Sequence, residues 1–271
     1  CSGIRISFGA SGAFAMARIN FRRLLVLACA ISLMLSYGLL WARMITTPLE
    51  YTGTDFVAFY AAARIAEHEG PAHAYDFPLQ QYYEERLMGF TIPSDIVRIY
   101  LDPPFVIPLA SLVTLDNFVS SLVLWNGLMA LFAVMGTVLV FSILRKDFSR
   151  KEWLILLAGV VLFFPVYKSL VVGQNSAILY LGACIWLLGL LTDRDWLAGL
   201  GLAVMTVRPH LVLPLVLPFV FRRRKVWWWF LLGAAALALI SLAYCGLMGV
   251  EGFLRILGFS ASAASATTGE H

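Results

Sequence analysis

Four short polar groupings interrupt this apolar sequence, and each carries side chains able to do chemistry. Asp55 stands in Tyr51-Thr-Gly-Thr-Asp-Phe-Val-Ala-Phe-Tyr60, just after the first long apolar run. A carboxylate there is costly in lipid and cheap in water. As a general base it would take a proton from a hydroxyl, and a helix start would favour its charged form. As a plain helix-start residue it would only complement the dipole, worth about 0.3–1 kcal/mol. Asp102, in Tyr100-Leu-Asp-Pro-Pro-Phe-Val-Ile-Pro108, is a second candidate acid. Pro103 and Pro104 fix an extended lead-in, so the simpler reading there is a rigid loop closing onto the membrane. In Lys168-Ser-Leu-Val-Val-Gly-Gln-Asn175, Gly173 permits a sharp turn. Gln174 and Asn175 offer paired donors and acceptors of the kind that hold sugar hydroxyls, or simply cap the next helix. Arg208-Pro209-His210 divides two apolar half-helices. Arg208 can grip a phosphate with two parallel donors and His210 can add a third, or both can snorkel to the interface.

The elements that must position these groups are membrane spans. The chain has 271 residues, 61% hydrophobic and 13% charged, with a mean hydropathy of +0.83. Ordinary soluble domains carry about 25% charged residues. The apolar residues fall in runs near the bilayer-crossing length of about 20, without period-2 alternation, so an all-α integral membrane protein is expected. Five runs stand out: Leu24–Ala42, Ser120–Leu144, Trp153–Tyr167, Ser176–Leu191 and Val226–Met248. The pieces Trp196–Val207 and Leu211–Phe221 reach only roughly 17 Å each as helices, too short to cross alone. A pair of half-helices meeting at a polar break is one way to build a site at membrane depth. Cys1, Cys29, Cys184 and Cys245 form no CxxC pair, and no metal or other cofactor is expected.

Basic residues in short loops set the orientation. Arg18, Arg22 and Arg23 precede the first run, while Arg145, Lys146, Arg150 and Lys151 follow the second. Arg194 follows the fourth, and Arg222–Lys225 precede the last. With a cytoplasmic N-terminus all of these are cytoplasmic, provided the pair 196–221 enters and leaves on one side. The segment 43–118 then faces outward, and it holds 10 of the 16 acids. The expected organisation is a cytoplasmic segment 1–23, a first span 24–42 and a large exoplasmic loop 43–118 containing a short helix 55–69. A bundle 119–248 with the re-entrant pair 196–221 and a tail 249–271 follow. Thr54 is the expected cap of the short helix and Gly70 its stop. Met16 reads as a natural start, with residues 1–15 upstream of it. The Ser/Ala/Thr-rich tail suggests further spans beyond it.

The groupings Thr54-Asp55-Phe56 with Tyr60, Tyr100 with Pro103-Pro104, Gly173-Gln174-Asn175, and Arg208-Pro209 before the basic Arg222–Lys225 occur together in this order. That set resembles glycosyltransferase family 87, the bacterial polyprenol-phosphate-dependent mannosyltransferase-like membrane proteins. Arg208 stands where this family usually has lysine. The resemblance implies a multi-span helical bundle of the type C glycosyltransferase kind, with its active site on the exoplasmic side of the cell membrane. It implies transfer of a hexose, mannose first among them, from a polyprenyl-phosphate donor to a glycolipid or glycan acceptor. Asp55 would be the general base. Arg208, His210 and Lys168 would bind the donor phosphate, and Tyr60, Gln174 and Asn175 the sugar. The lipid bilayer is the remaining partner and no nucleic acid is expected. The competing readings are a transporter or flippase and a non-catalytic assembly protein. Against a coupled transporter, the spans hold essentially no acids.

The orientation is checked by cysteine labelling. A cysteine introduced beside Glu85 should react with a membrane-impermeant maleimide on intact cells, and one beside Arg150 only after lysis.

Overall fold

The structure is a computed structural model that describes residues 11–46, 55–94, 96–144, 149–161 and 164–268. The expected cap Thr54, the basic residues Arg145 and Lys146, part of the Trp153–Tyr167 run and the first ten residues lie outside these. Described residues form helices α1 (Ser11–Thr46), α2 (Phe56–His68), α3 (Phe77–Met88), α4 (Ile107–Ser111), α5 (Phe118–Leu144) and α6 (Arg150–Val161). They continue as α7 (Phe164–Val172), α8 (Ser176–Leu191), α9 (Asp195–Val204), α10 (Pro209–Arg222) and α11 (Arg224–Thr268). Three single 3-10 turns, Pro71–His73, Pro104–Val106 and Met205–Val207, connect them. No strand occurs among the described residues, in keeping with an all-α protein.

Two helices, Phe118–Leu144 and Arg224–Gly258, are long and apolar enough to cross a bilayer. Leu24–Leu40, Ser176–Leu191, Asp195–Val207 and Pro209–Arg222 are shorter apolar helices. The outward faces of the long helices keep large apolar side chains exposed, among them Leu131, Val138, Leu239 and Leu247. The hydrophobic effect disfavours such stripes in water and tolerates them in hydrocarbon.

The short helix α2 begins one residue later and ends one residue earlier than expected, with Glu69 as its C-cap and Gly70 next at φ +99°. Its apolar side lies against the rest of the fold, and ten of its residues are buried. The reason is aromatic packing against the start of α5. The Phe59 ring lies 4.8 Å from Trp125 and the Phe56 ring 5.7 Å from it. Phe56 also meets Phe118 at 5.5 Å, and Phe59 meets Tyr100 edge-on at 5.5 Å. Offset and edge-on rings at these separations add about 0.5–1.5 kcal/mol per pair beyond area burial.

Helix α3 holds the stretch that leads to Asp102. The Gln81 side chain donates to the Ile92 carbonyl at 2.8 Å, and Glu85 accepts from the Ile92 amide at 3.0 Å. Buried Glu84 accepts from the Arg98 amide at 2.8 Å, and buried Gln80 accepts from the Tyr100 amide at 3.0 Å. The backbone of an irregular loop is thus satisfied by one helix face, as buried polar groups require.

Helix α9 packs between α8 and α11, and glycine makes this close approach feasible. A Cβ at Gly201 would meet the Trp186 amide nitrogen and, at 2.7 Å, the Gly182 carbonyl oxygen. Arg223 closes the far end: its Nε donates to Asp195 Oδ1 at 2.8 Å and its Nη2 lies 3.3 Å from Asp193 Oδ1. The start of α9 and the end of α10 therefore sit side by side, with Arg208 at the bend between them.

Gly201→Leu should force α8 and α9 apart. Overpacking of this kind costs about 1–3 kcal/mol, so the purified protein should unfold at a lower temperature in detergent, whereas Leu239→Ala on an exposed face should change little.

Candidate active site

The bend after α7 brings the polar groupings together. Gly173 has φ +71°, a conformation other residues adopt only under strain, and a Cβ there would lie 2.6 Å from Phe56 Cβ. Its carbonyl accepts from Trp125 Nε1 at 2.8 Å. The turn is thereby pinned to the aromatic cluster that anchors α2, and the next two residues point at one acid each.

Gln174 Nε2 donates to Asp55 Oδ2 at 2.8 Å, while its Oε1 accepts from the Ser176 hydroxyl at 3.2 Å. Asp55 makes no side-chain cap bond to its own helix. Its carboxylate is held from across the fold, so helix capping does not account for it. Asn175 Nδ2 donates to Asp102 Oδ1 at 2.8 Å, and Asn175 Oδ1 accepts from Arg208 Nη2 at 3.2 Å. Arg208 Nη1 lies 3.7 Å from the same Asp102 oxygen. The Asp102 backbone carbonyl accepts from the Tyr75 hydroxyl at 2.6 Å.

These groups form two layers. Asp55, Gln174 and Arg208 are half-buried and line the open side. Gly173, Asn175, Asp102, Tyr75 and Tyr100 are buried behind them. Burial pushes the Asp102 carboxyl above the usual range; Arg208 and the Asn175 amide oppose this, and Asp55 adds to it. Burial likewise raises the phenols of Tyr75 and Tyr100, which therefore remain neutral donors.

The sequence model of glycosyltransferase family 87 matches residues 100–270. The chain belongs to glycosyltransferase family 87. No curated protein and no solved structure matches it. Members of this family are membrane proteins, in line with the two long apolar helices. Family membership makes the chain a glycosyltransferase, acting on a sugar donor and an acceptor. Asp102, Gln174, Asn175 and Arg208 lie within the matched stretch; Asp55 and Tyr60 precede it.

Five of the eight residues singled out from the sequence thus converge: Asp55, Asp102, Gln174, Asn175 and Arg208. Three do not join them. The Tyr60 hydroxyl donates to the carbonyls of Leu115 and Asp116, both at 3.1 Å, and so fastens α2 to the α4–α5 connection. Lys168 is exposed on α7 and His210 is exposed on the first turn of α10. Asn175, expected to touch sugar, is fully buried with both ends of its amide engaged. Sequence reasoning missed Tyr75 and Trp125. Trp125 reads as one more apolar residue of a span, and Tyr75 is followed by nothing that marks it.

Asp102 also sets a pH dependence. A carboxyl raised in the folded state contributes stability that is full at pH below its unfolded value, and that stability is lost as pH rises through the folded value. Removing Arg208 takes away the cation that moderates the rise. Arg208→Ala should therefore cost little near pH 3.8, the ordinary aspartate value, and progressively more above it. The loss should reach about 1–2 kcal/mol at neutral pH, below the full cost of breaking a buried pair because Arg208 is partly solvated. Thermal unfolding of both proteins across this range checks the trend.

Proposed function

We propose that this glycosyltransferase moves a hexose, mannose in the first instance, from a polyprenyl-phosphate donor to an acceptor hydroxyl at the exoplasmic membrane surface. Asp55 is the general base. The observation that carries the reading is the bond from Gln174 to Asp55 Oδ2, the one side-chain hydrogen bond of that carboxylate among the described residues, which sits one residue from the group that holds Arg208.

The chemistry follows from these placements. Asp55 accepts the proton of the acceptor hydroxyl as its oxygen bonds to the anomeric carbon. The bond from that carbon to the phosphate oxygen breaks, and the electron pair leaves with the polyprenyl phosphate. Attack from the face opposite the phosphate inverts the anomeric centre. Arg208 stabilises the charge that develops on the departing phosphate, which makes a metal unnecessary in principle. Gln174 orients the base and, being half-buried, also borders the sugar. His210, exposed two residues beyond Arg208, is an outer contact for the same phosphate. Lys168, on α7, is a more distant one.

Several features support a lipid-linked donor. Arg208 lies at the bend between two apolar helices that turn back at Arg223, a place a headgroup reaches while its tail stays in hydrocarbon. Exposed Leu213 and Leu217 on α10 offer that tail an apolar flank. The re-entrant arrangement of α9 and α10 and the outward placement of 43–118 belong to the same proposal.

The test is sugar transfer from labelled polyprenyl-phosphate mannose in membranes. Asp55→Asn keeps the shape of the side chain and the fold around Gln174. Transfer should fall by at least about 10²-fold, the usual contribution of a general base, at unchanged protein level and insertion. Undiminished transfer by this variant would remove Asp55 as the base.

A further inference from the structure

We infer that Asp102 is a positioning residue, not a second base: it presets Arg208 for the phosphate of a prenyl phosphate. The inference rests on the function proposed above and assigns the buried half of the same site.

Three observations lead there. Asp102 is 6% exposed, so neither sugar nor acceptor reaches its carboxylate without rearrangement of the fold. The described side-chain contacts of the carboxylate both fall on one oxygen: Asn175 Nδ2 at 2.8 Å and Arg208 Nη1 at 3.7 Å. Asn175 is the third member of that triangle, and its amide can only face one way. Its nitrogen must point at the acid and its oxygen at the guanidinium. A positive group held on two sides by a carboxylate and an amide oxygen is fixed in direction, and the Arg208 side chain stays partly exposed for a ligand. Ordering a long arginine side chain in advance saves the entropy that binding would otherwise cost.

The second contribution is the placement of Asp102 itself. Its backbone is bracketed by Pro103 on one side and by the Gln80–Tyr100 bond two residues before it. The Tyr75 hydroxyl takes its carbonyl at 2.6 Å. Tyr75 is in turn backed by α11, where the Phe253 ring lies 5.5 Å away and Gly252 leaves the space its ring needs. The charged and titratable groups that face Asp102 are Asp55, Arg208, Tyr75 and Tyr100. Arg208 is the cation among them. With Arg208 and the Asn175 amide on its carboxylate and Asp55 as the neighbouring acid, Asp102 is suited to holding that cation, and its burial places it poorly to take a proton from a substrate.

The experiment reads phosphate binding separately from catalysis. Binding of farnesyl phosphate to the purified full chain is measured for the wild type, Asp102→Asn, Arg208→Ala and the double variant. Asp102→Asn keeps an oxygen for the Asn175 amide and removes only the charge that holds Arg208. It should bind farnesyl phosphate on the order of 10-fold more weakly while unfolding at the same or a higher temperature, since a costly buried charge is gone. In the Arg208→Ala background the same change should have no further effect on binding. Wild-type affinity in Asp102→Asn would overturn the assignment. So would an equal weakening with and without Arg208, because Asp102 would then act independently of it. A wild type that binds farnesyl phosphate with this pattern yet transfers no sugar would defeat the proposed reaction and leave the role of Asp102 standing.

Discussion

Everything at the centre of this fold depends on a three-residue turn. Gly173, Gln174 and Asn175 connect two apolar helices, and each does a different job. Gly173 lets the chain approach Phe56 and hands its carbonyl to Trp125. Gln174 and Asn175 then reach acids contributed by segments far apart in the chain. No secondary structure joins α2, the loop before Pro103 and the bend at Arg208. Their common register comes from this turn and from the buried rings beneath it. Buried polar networks of this kind are costly when half made and rigid when complete.

The scaffold around the turn divides the labour. Apolar surface and aromatic rings fix α2 against α5, which sets where Asp55 stands. Helix α3 supplies side-chain partners for an irregular loop, which sets where Asp102 stands. The glycine-lined contact of α9 with α8 sets where Arg208 stands. Three unlike devices therefore deliver three charged groups to one spot: ring packing, side-chain capture of backbone, and close helix approach. The prolines Pro209, Pro214 and Pro218 in α10 remove backbone donors from that helix, so its position rests on its neighbours more than on its own ladder.

Much of this could be read from the chain before any coordinates. Apolar runs named the long helices because composition and length dominate in such segments. Gly70 and Gly173 marked turns because a backbone with positive φ tolerates little else. The polar groupings were legible because charged and amide side chains are rare here, so each stands out. What could not be read were the partners. Asn175 looked like a sugar contact because its chemistry suits one; only geometry reveals that both ends of its amide are already spent. Tyr60 misled for the same reason, since its hydroxyl serves the Leu115 and Asp116 carbonyls. Trp125 was invisible because its indole N–H matters through a backbone carbonyl forty-eight positions away, and no local pattern encodes that.

The run Arg222-Arg223-Arg224-Lys225 looks uniform as a string of charge. In space it is not. Arg223 alone among these four has ion-pair partners among the described residues, Nε and Nη2 on Asp195 and Nη2 also on Asp193, while its neighbours are exposed. A lysine at 223 would keep the charge and lose the fork that spans two acids. Substitution in this run should therefore be permissive at three positions and exacting at one, a distinction that any measure of net charge would average away.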